Sequence, residues 1–126
     1  MDQCSADARR IRVVIIDDHE ISRAACRALL RTEGLDVVAD LSVDEHTIAV
    51  AEALCPDLVI VDVTPDQPLP VVIAELRALP HPPTVVLTSS STGLISREQL
   101  DGLRFVPKAD MCGERLLRYL RSSTQP

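Results

Sequence analysis

The chain has 126 residues, a net charge of −6, 46% hydrophobic residues and only 2% aromatic ones. That length fits one domain with an aliphatic core, and the acidic balance excludes a segment that grips nucleic acid by itself. Its longest apolar runs reach about six residues, far short of the ~18 that span a bilayer, and MDQCSADARR at the N-terminus has no apolar stretch after its charges, so it is not a signal peptide.

Residues 11–17, IRVVIID, form a β-branched run too short for a helix, and predict a first strand. HEISRAACRALLRTEG follows, with Ile21, Ala24, Ala25, Ala28 and Leu29 at helical spacing and Gly34 as a stop signal. DVVADL (36–41) reads as a second strand. SVDE (42–45) has the form of a capping box in which Ser42 and Glu45 cap reciprocally, opening a helix that runs to about Leu54, before Pro56. DLVIVD (57–62) is a third strand, and VTPDQPLP a proline-crowded loop. A helix from Leu69 to Leu79 carries Val72, Ile73, Leu76 and Leu79 on one face, and HPP ends it. TVVLT (84–88) is a fourth strand. A polar stretch leads to a short helix around Ser96 to Leu100, LRFVP (103–107) is a fifth strand, and a last helix spans Asp110 to about Arg121 with Leu116, Leu117 and Leu120 inward. There is no internal repeat.

Strands alternating with helices predict a parallel sheet covered on both faces, because parallel strands need helical crossovers. The organisation expected is a tail over 1–10, one domain over 11–121, and a tail or linker start over 122–126. The cysteines, Cys4, Cys26, Cys55 and Cys112, are far apart with no C-x-x-C, and read as reduced thiols of a cytoplasmic protein, two of them core filler. The histidines, His19, His46 and His81, lack the spacing of a zinc site. His19 reads as an exposed residue in the first turn of the first helix.

In such folds chemistry sits at the carboxyl ends of the strands. There the sequence puts Asp17 and Asp18 after strand one, Asp62 after strand three, Thr88 after strand four and Lys108 after strand five. Lys108 is the single lysine among thirteen basic residues. Lysine is a compact charge on a flexible stem where arginine is a wide fork, so its use here alone suggests one ammonium in a tight place. Two carboxylates ~5 Å apart repel by about 3 kcal/mol at an effective dielectric of ~20, and need a cation. An all-oxygen set with water access suits Mg²⁺. The same arrangement makes a carboxylate a nucleophile toward a phosphoryl group, with Mg²⁺, the ammonium and the Thr88 hydroxyl taking its oxygens.

Over about residues 11–121 the chain resembles the receiver domain of two-component response regulators. IIDDHE resembles the acidic pair (Asp17, Asp18), PDLVIVD the phosphoacceptor strand ending in Asp62, VVLTSS the hydroxyl position (Thr88), and FVPK the lysine (Lys108) with the switch aromatic (Phe105). The DDHE and FVPKAD segments are most similar to the NarL/FixJ group. The resemblance implies a flavodoxin-like (βα)5 fold with strand order 2-1-3-4-5. It implies Mg²⁺ held by Asp17, Asp18, Asp62 and the Thr64 backbone carbonyl, and phosphorylation of Asp62 by a sensor histidine kinase within a phosphorelay. A homodimer, or a helix-turn-helix effector beyond this chain that controls transcription, would read the switch. The implied protein is a cytoplasmic, non-membrane phosphoprotein that makes no nucleic-acid contact through this segment, and it is not an enzyme beyond its own aspartyl phosphorylation.

Two features depart from the family pattern. Proline follows Thr64 directly, one place early, with no glycine after it, which biases Thr64 to extended geometry. The intervals from Asp62 to Thr88 and from Thr88 to Lys108 are also short for the family. The competing reading is a degenerate receiver that works by protein contact alone, as a dimerisation or adaptor module. A haloacid-dehalogenase-like phosphatase ranks lower, since it needs a second acid two places after the nucleophile and Thr64 stands there. Individually, Asp62 also suits a strand-end turn, Asp17 and Asp18 a helix first turn, Thr88 an ordinary strand position and Phe105 a plain core position. Asp66 reads as a turn residue or a surrogate ligand.

Overall fold

The computed structural model describes residues 10–64, 70–89 and 103–124. Five parallel strands form one sheet in the order β2-β1-β3-β4-β5: β1 (Arg12–Ile16), β2 (Asp36–Leu41), β3 (Leu58–Asp62), β4 (Thr84–Thr88) and β5 (Arg104–Phe105). The described helices are α1 (Glu20–Thr32), α2 (Thr47–Leu54), α3 (Val71–Arg77) and α4 (Gly113–Thr124). This is the flavodoxin-like architecture and strand order expected from the sequence. The helix expected around Ser96 to Leu100, the 1–9 segment and Asp66 lie outside the described residues.

Side-chain alternation along the strands divides the core in two. Val13 and Ile15 of β1, Leu58 and Ile60 of β3 and Val86 of β4 pack with Leu30 of α1 and Leu116 of α4. Val14, Ile16, Val59, Val61, Val85 and Leu87 pack on the opposite face with Ala51 of α2 and Val72, Ile73 and Leu76 of α3. The central strands are apolar on both faces because helices cover both. By the same parity Asp17, Asp62 and Thr88, each two residues beyond a member of the first cluster, belong to the α1–α4 side.

The sheet's entry edge is fixed by Arg12. Its guanidinium donates to the Leu54 carbonyl at the end of α2, while its amide donates to the Asp57 carboxylate at 2.8 Å. At the exit edge, the Val106 and Lys108 amides donate to the Leu87 and Ser89 carbonyls at 2.9 and 3.2 Å. Pro107 falls between them, at the place in an edge strand where no N–H is needed. Gly34 (φ 87°) supplies the left-handed turn after α1. Just before it, the Glu33 carboxylate accepts from the Gly113 amide and caps α4, an approach that a Cβ at Gly113 would obstruct from 2.7 Å.

Several boundaries differ from expectation. The capping box at 42–45 does not form, because α2 starts at Thr47 and the Ser42 hydroxyl accepts from Arg23 instead. The turn is built by Asp44, whose carboxylate accepts from the His46 amide and whose own amide donates to the Thr47 hydroxyl. The strand from 103 to 107 shortens to Arg104–Phe105, and Lys108–Asp110 form a 3-10 turn before α4, which continues past 121 to Thr124. Cys26 and Cys112 are free thiols, and Cys26 packs against the core, but Cys55 is disulfide-bonded. The expectation of four reduced thiols therefore fails at Cys55. It sits half-buried in left-handed geometry (φ 49°) at the end of α2, where a second thiol can reach it, and separation along the chain does not reveal this.

Leu116 is fully buried between α4 and the sheet, whereas Leu29 is 39% exposed on α1. Leu116→Ala is expected to cost about 2–5 kcal/mol in urea unfolding with an unchanged m-value, and Leu29→Ala less than about 1.

Candidate functional site

Asp17 leaves β1 at its carboxyl end, still buried at 3% exposure, and its amide donates to the Leu41 carbonyl of β2. The next residue, Asp18, is exposed, and its carboxylate accepts from the Val43 amide at 2.8 Å in the loop after β2. Asp62 ends β3 opposite Thr88 of β4, so parallel register puts their side chains side by side. Lys108 follows β5, and its stem crosses to the acids. Its ammonium lies 2.9 Å from Asp17 Oδ2 and 2.9 Å from Asp62 Oδ1, and it also donates to the Ser22 hydroxyl on α1.

The structure thus brings Asp17, Asp62, Thr88 and Lys108 to one pocket, with Asp18 at its rim. Thr64 is exposed just before the 65–69 segment, which lies outside the described residues. Phe105 is not in the pocket. It pairs with Leu87 and packs, half-buried, on the α2–α3 side of the sheet.

Each Lys108–carboxylate contact is worth about 5–6 kcal/mol at an effective dielectric of about 20, before desolvation. That exceeds the repulsion of the acids for each other, so the ammonium holds the cluster together. Burial by itself would raise the Asp17 pKa. The Lys108 bond, the His19 amide, the Ser22 hydroxyl and the Lys108 charge outweigh burial and lower it. For Lys108, burial acts downward, and its bonds and charge pairing with Asp17 and Asp62 win, raising its pKa. The ammonium is the partner of the buried Asp62 Oδ1, which has no other among the described residues. The Thr88 hydroxyl, also buried, has no partner among them. A buried hydroxyl without a partner is costly.

Residues not foreseen from sequence complete the site. Arg23 reaches back from α1, donating to the Asp17 carbonyl at 2.7 Å, to the Asp40 carboxylate at 3.0 Å and to Ser42 at 2.9 Å, so one guanidinium ties the loop that carries Asp17 and Asp18 to the end of β2. His19 donates its amide to Asp17 Oδ1 at 2.8 Å, and its ring Nδ1 lies 3.2 Å from Asp17 Oδ1 and 3.5 Å from Asp62 Oδ2. Its position two residues after Asp17, the reach of an Asx-turn, was the available signal. Ser22, Ala25, Cys26, Leu29, Lys108 and Met111 line a mostly apolar cavity of about 160 Å³ behind the ammonium. Burial pushes the Cys26 thiol up to about 11, which keeps it protonated and inert at neutral pH.

Acids, lysine and hydroxyl at the carboxyl ends of a 2-1-3-4-5 sheet can be set beside known proteins. The chain superimposes on the receiver domain of the response regulator NarL from Mycobacterium tuberculosis with a TM-score of 0.69, at 24% identity, over 94% of this chain and 99% of that one. The chain has the fold of a response-regulator receiver domain. The response regulator domain of Thermotoga maritima CheB gives 0.66 at 23% identity, over 94% and 100%. The receiver of the stress response regulator RcsB from Escherichia coli gives 0.69 at 18%, over 92% and 96%. In sequence the chain is 35% identical over 92 residues to the virulence-factors transcription regulator BvgA of Bordetella pertussis, covering 71% of this chain and 44% of that protein. The chain therefore spans under half the length of that curated relative. No protein-family model matches it. Among the described residues no helix is long and apolar enough to cross a membrane.

Replacing Lys108 by Met leaves two adjacent carboxylates without their cation, and is expected to destabilise the metal-free protein by about 1–3 kcal/mol. That is less than for a fully buried pair, since Lys108 is 20% exposed. The lowered Asp17 pKa gives stability present above its unfolded value and lost as pH falls through the folded one. The raised Lys108 pKa gives stability present below its unfolded value and lost as pH rises through the folded one. The difference between wild type and Lys108→Met in urea unfolding should therefore be level from about pH 5 to 9 and shrink toward both extremes.

Proposed function

We propose that this receiver accepts a phosphoryl group on Asp62 from the phosphohistidine of a sensor kinase, and that the new charge switches a protein-interaction surface in a two-component phosphorelay. The observation that carries this is the single ammonium 2.9 Å from both Asp17 and Asp62, beside a buried Thr88 hydroxyl that has no partner among the described residues. In the transfer the P–N bond of the donor breaks, a bond forms between phosphorus and an Asp62 carboxylate oxygen, and the donor imidazole leaves with the electron pair. Lys108 neutralises a phosphoryl oxygen and Thr88 donates its hydroxyl to another. Lys108 stands in place before the charge arrives, and so needs no reorganisation.

The donor set fits a divalent cation. Lys108 occupies one oxygen of each carboxylate, so the oxygens turned from the ammonium, Asp62 Oδ2 and Asp17 Oδ1 (which also accepts from the His19 amide), are the ones that can face a metal. The residues that would hold Mg²⁺ are Asp17 and Asp62, with Asp18 and the Thr64 carbonyl completing the family's set. Bound there, Mg²⁺ supplies positive charge to the transferring oxygens.

The readout rests on a two-state balance that phosphorylation shifts. Thr88 drawn toward the phosphoryl group pulls on β4, and Phe105, half-buried on the neighbouring strand, has room to change rotamer. A homodimer, or a helix-turn-helix effector following this segment, would sense the change. The likeness to the transcription regulator BvgA supports a role in cytoplasmic control of transcription.

Incubation with Mg²⁺ and acetyl phosphate, followed by intact mass, should give one phosphoryl adduct on the wild type and none on Asp62→Asn. Thr88→Ala should slow its appearance by about tenfold to a hundredfold, the loss expected for one preorganised donor. A wild type that never takes the adduct would favour the phosphorylation-independent adaptor.

A further inference from the structure

We propose that His19 is a metal ligand, and that with Asp17 and Asp62 it gives this pocket a two-carboxylate, one-imidazole site that prefers a first-row transition-metal dication to Mg²⁺. The inference rests on the metal-assisted reading of the same pocket given above.

The geometry divides the carboxylate oxygens into two sets. Asp17 Oδ2 and Asp62 Oδ1 face the Lys108 ammonium. Asp17 Oδ1 and Asp62 Oδ2 face His19 Nδ1, at 3.2 and 3.5 Å. One donor atom from each of the three residues lies within 4.8 Å of the others. Adjacent donors on an octahedral ion with bonds of about 2.1–2.2 Å stand roughly 3 Å apart, so little movement is needed to close on one ion. The imidazole is already positioned, because the His19 amide is held by Asp17 Oδ1 at 2.8 Å.

Asp18, whose Oδ1 accepts from the Val43 amide at 2.8 Å, does not join the group of close donors. A further observation points to a ligand in this pocket: the Thr88 hydroxyl, on the strand position paired with Asp62, is buried without any partner among the described residues.

An ionised carboxylate only accepts, so in the metal-free protein Nδ1 carries the ring proton toward Asp17. Metal binding would move that proton to Nε2 and free Nδ1 as a ligand. Nitrogen is a weak partner for Mg²⁺, a hard ion that favours oxygen, and a better one along the first-row series, so that Co²⁺ gains more from an imidazole than Mn²⁺ does. The side chain is 70% exposed, so its removal should leave the fold intact.

The test is calorimetric titration of the untagged chain with Mg²⁺ and Co²⁺ separately, for wild type, His19→Ala and Asp17→Asn, together with pulsed electron paramagnetic resonance of bound Mn²⁺. His19→Ala should weaken Co²⁺ by about tenfold or more, change Mg²⁺ by less than about twofold, and erase an imidazole-nitrogen coupling seen in the wild type. Asp17→Asn should weaken both ions. Equal effects of His19→Ala on both ions, or wild-type Mn²⁺ without nitrogen coupling, would overturn the assignment. A chain that keeps His19-dependent Co²⁺ affinity but never takes a phosphoryl group would support it while removing the switch. Failure of every dication to bind would remove the metal from both readings.

Discussion

One ammonium shared between two buried carboxylates is the constraint on which this site depends. Asp17 and Asp62 end neighbouring strands, and without a cation their charges would splay the sheet or force one of them to protonate. Lys108 resolves this from two strands away, 2.9 Å from each acid. A guanidinium could not occupy the same space, because its planar fork needs a wider berth than a point charge on a thin stem. The same contacts keep Lys108 charged, keep Asp17 ionised and anchor the chain after β5 against the Ser22 hydroxyl of α1.

The sheet makes this meeting possible through parity and register. Asp17, Asp62 and Thr88 continue the alternation of Ile15, Ile60 and Val86, so all three emerge on the α1–α4 side. A one-residue slip of any strand would send its polar end to the other face. The register is pinned by continuous apolar packing on both faces and by Arg12 at the opposite edge. Arg23 plays the corresponding role at the chemical edge, tying the Asp17 carbonyl to Asp40 and Ser42. The site is thus held by structure that does not itself react, as a preorganised electrostatic centre requires.

The pocket is poised, with part of its polar capacity unused. Thr88 has a buried hydroxyl that the described residues leave without a hydrogen bond, while the outer oxygen of each acid turns to an exposed histidine. A phosphoryl group and a cation would use these atoms together. Phe105 lies across the sheet, so any message to it must travel through the β4–β5 ladder, where Val106 donates to the Leu87 carbonyl.

The sequence by itself was enough for the alternation of strands and helices, the parallel sheet and the polar residues at strand ends, because these follow from local periodicity and from the need to cover both faces of a parallel sheet. A single lysine among thirteen basic residues sets Lys108 apart in the sequence alone. Other features depended on distances that no local pattern carries. The capping box failed because Arg23, nineteen positions before Ser42, took its hydroxyl. The Cys55 disulfide was hidden because covalent pairing depends on spatial approach and not on spacing along the chain. His19 read as a solvated first-turn residue, since nothing in D-D-H tells that Asp62, forty-three residues on, will stand 3.5 Å from its ring. Composition and period decide which elements form. Only packing those elements together decides which oxygens face the ammonium and which face the imidazole, because that choice is made by long-range contacts between strands that the chain separates.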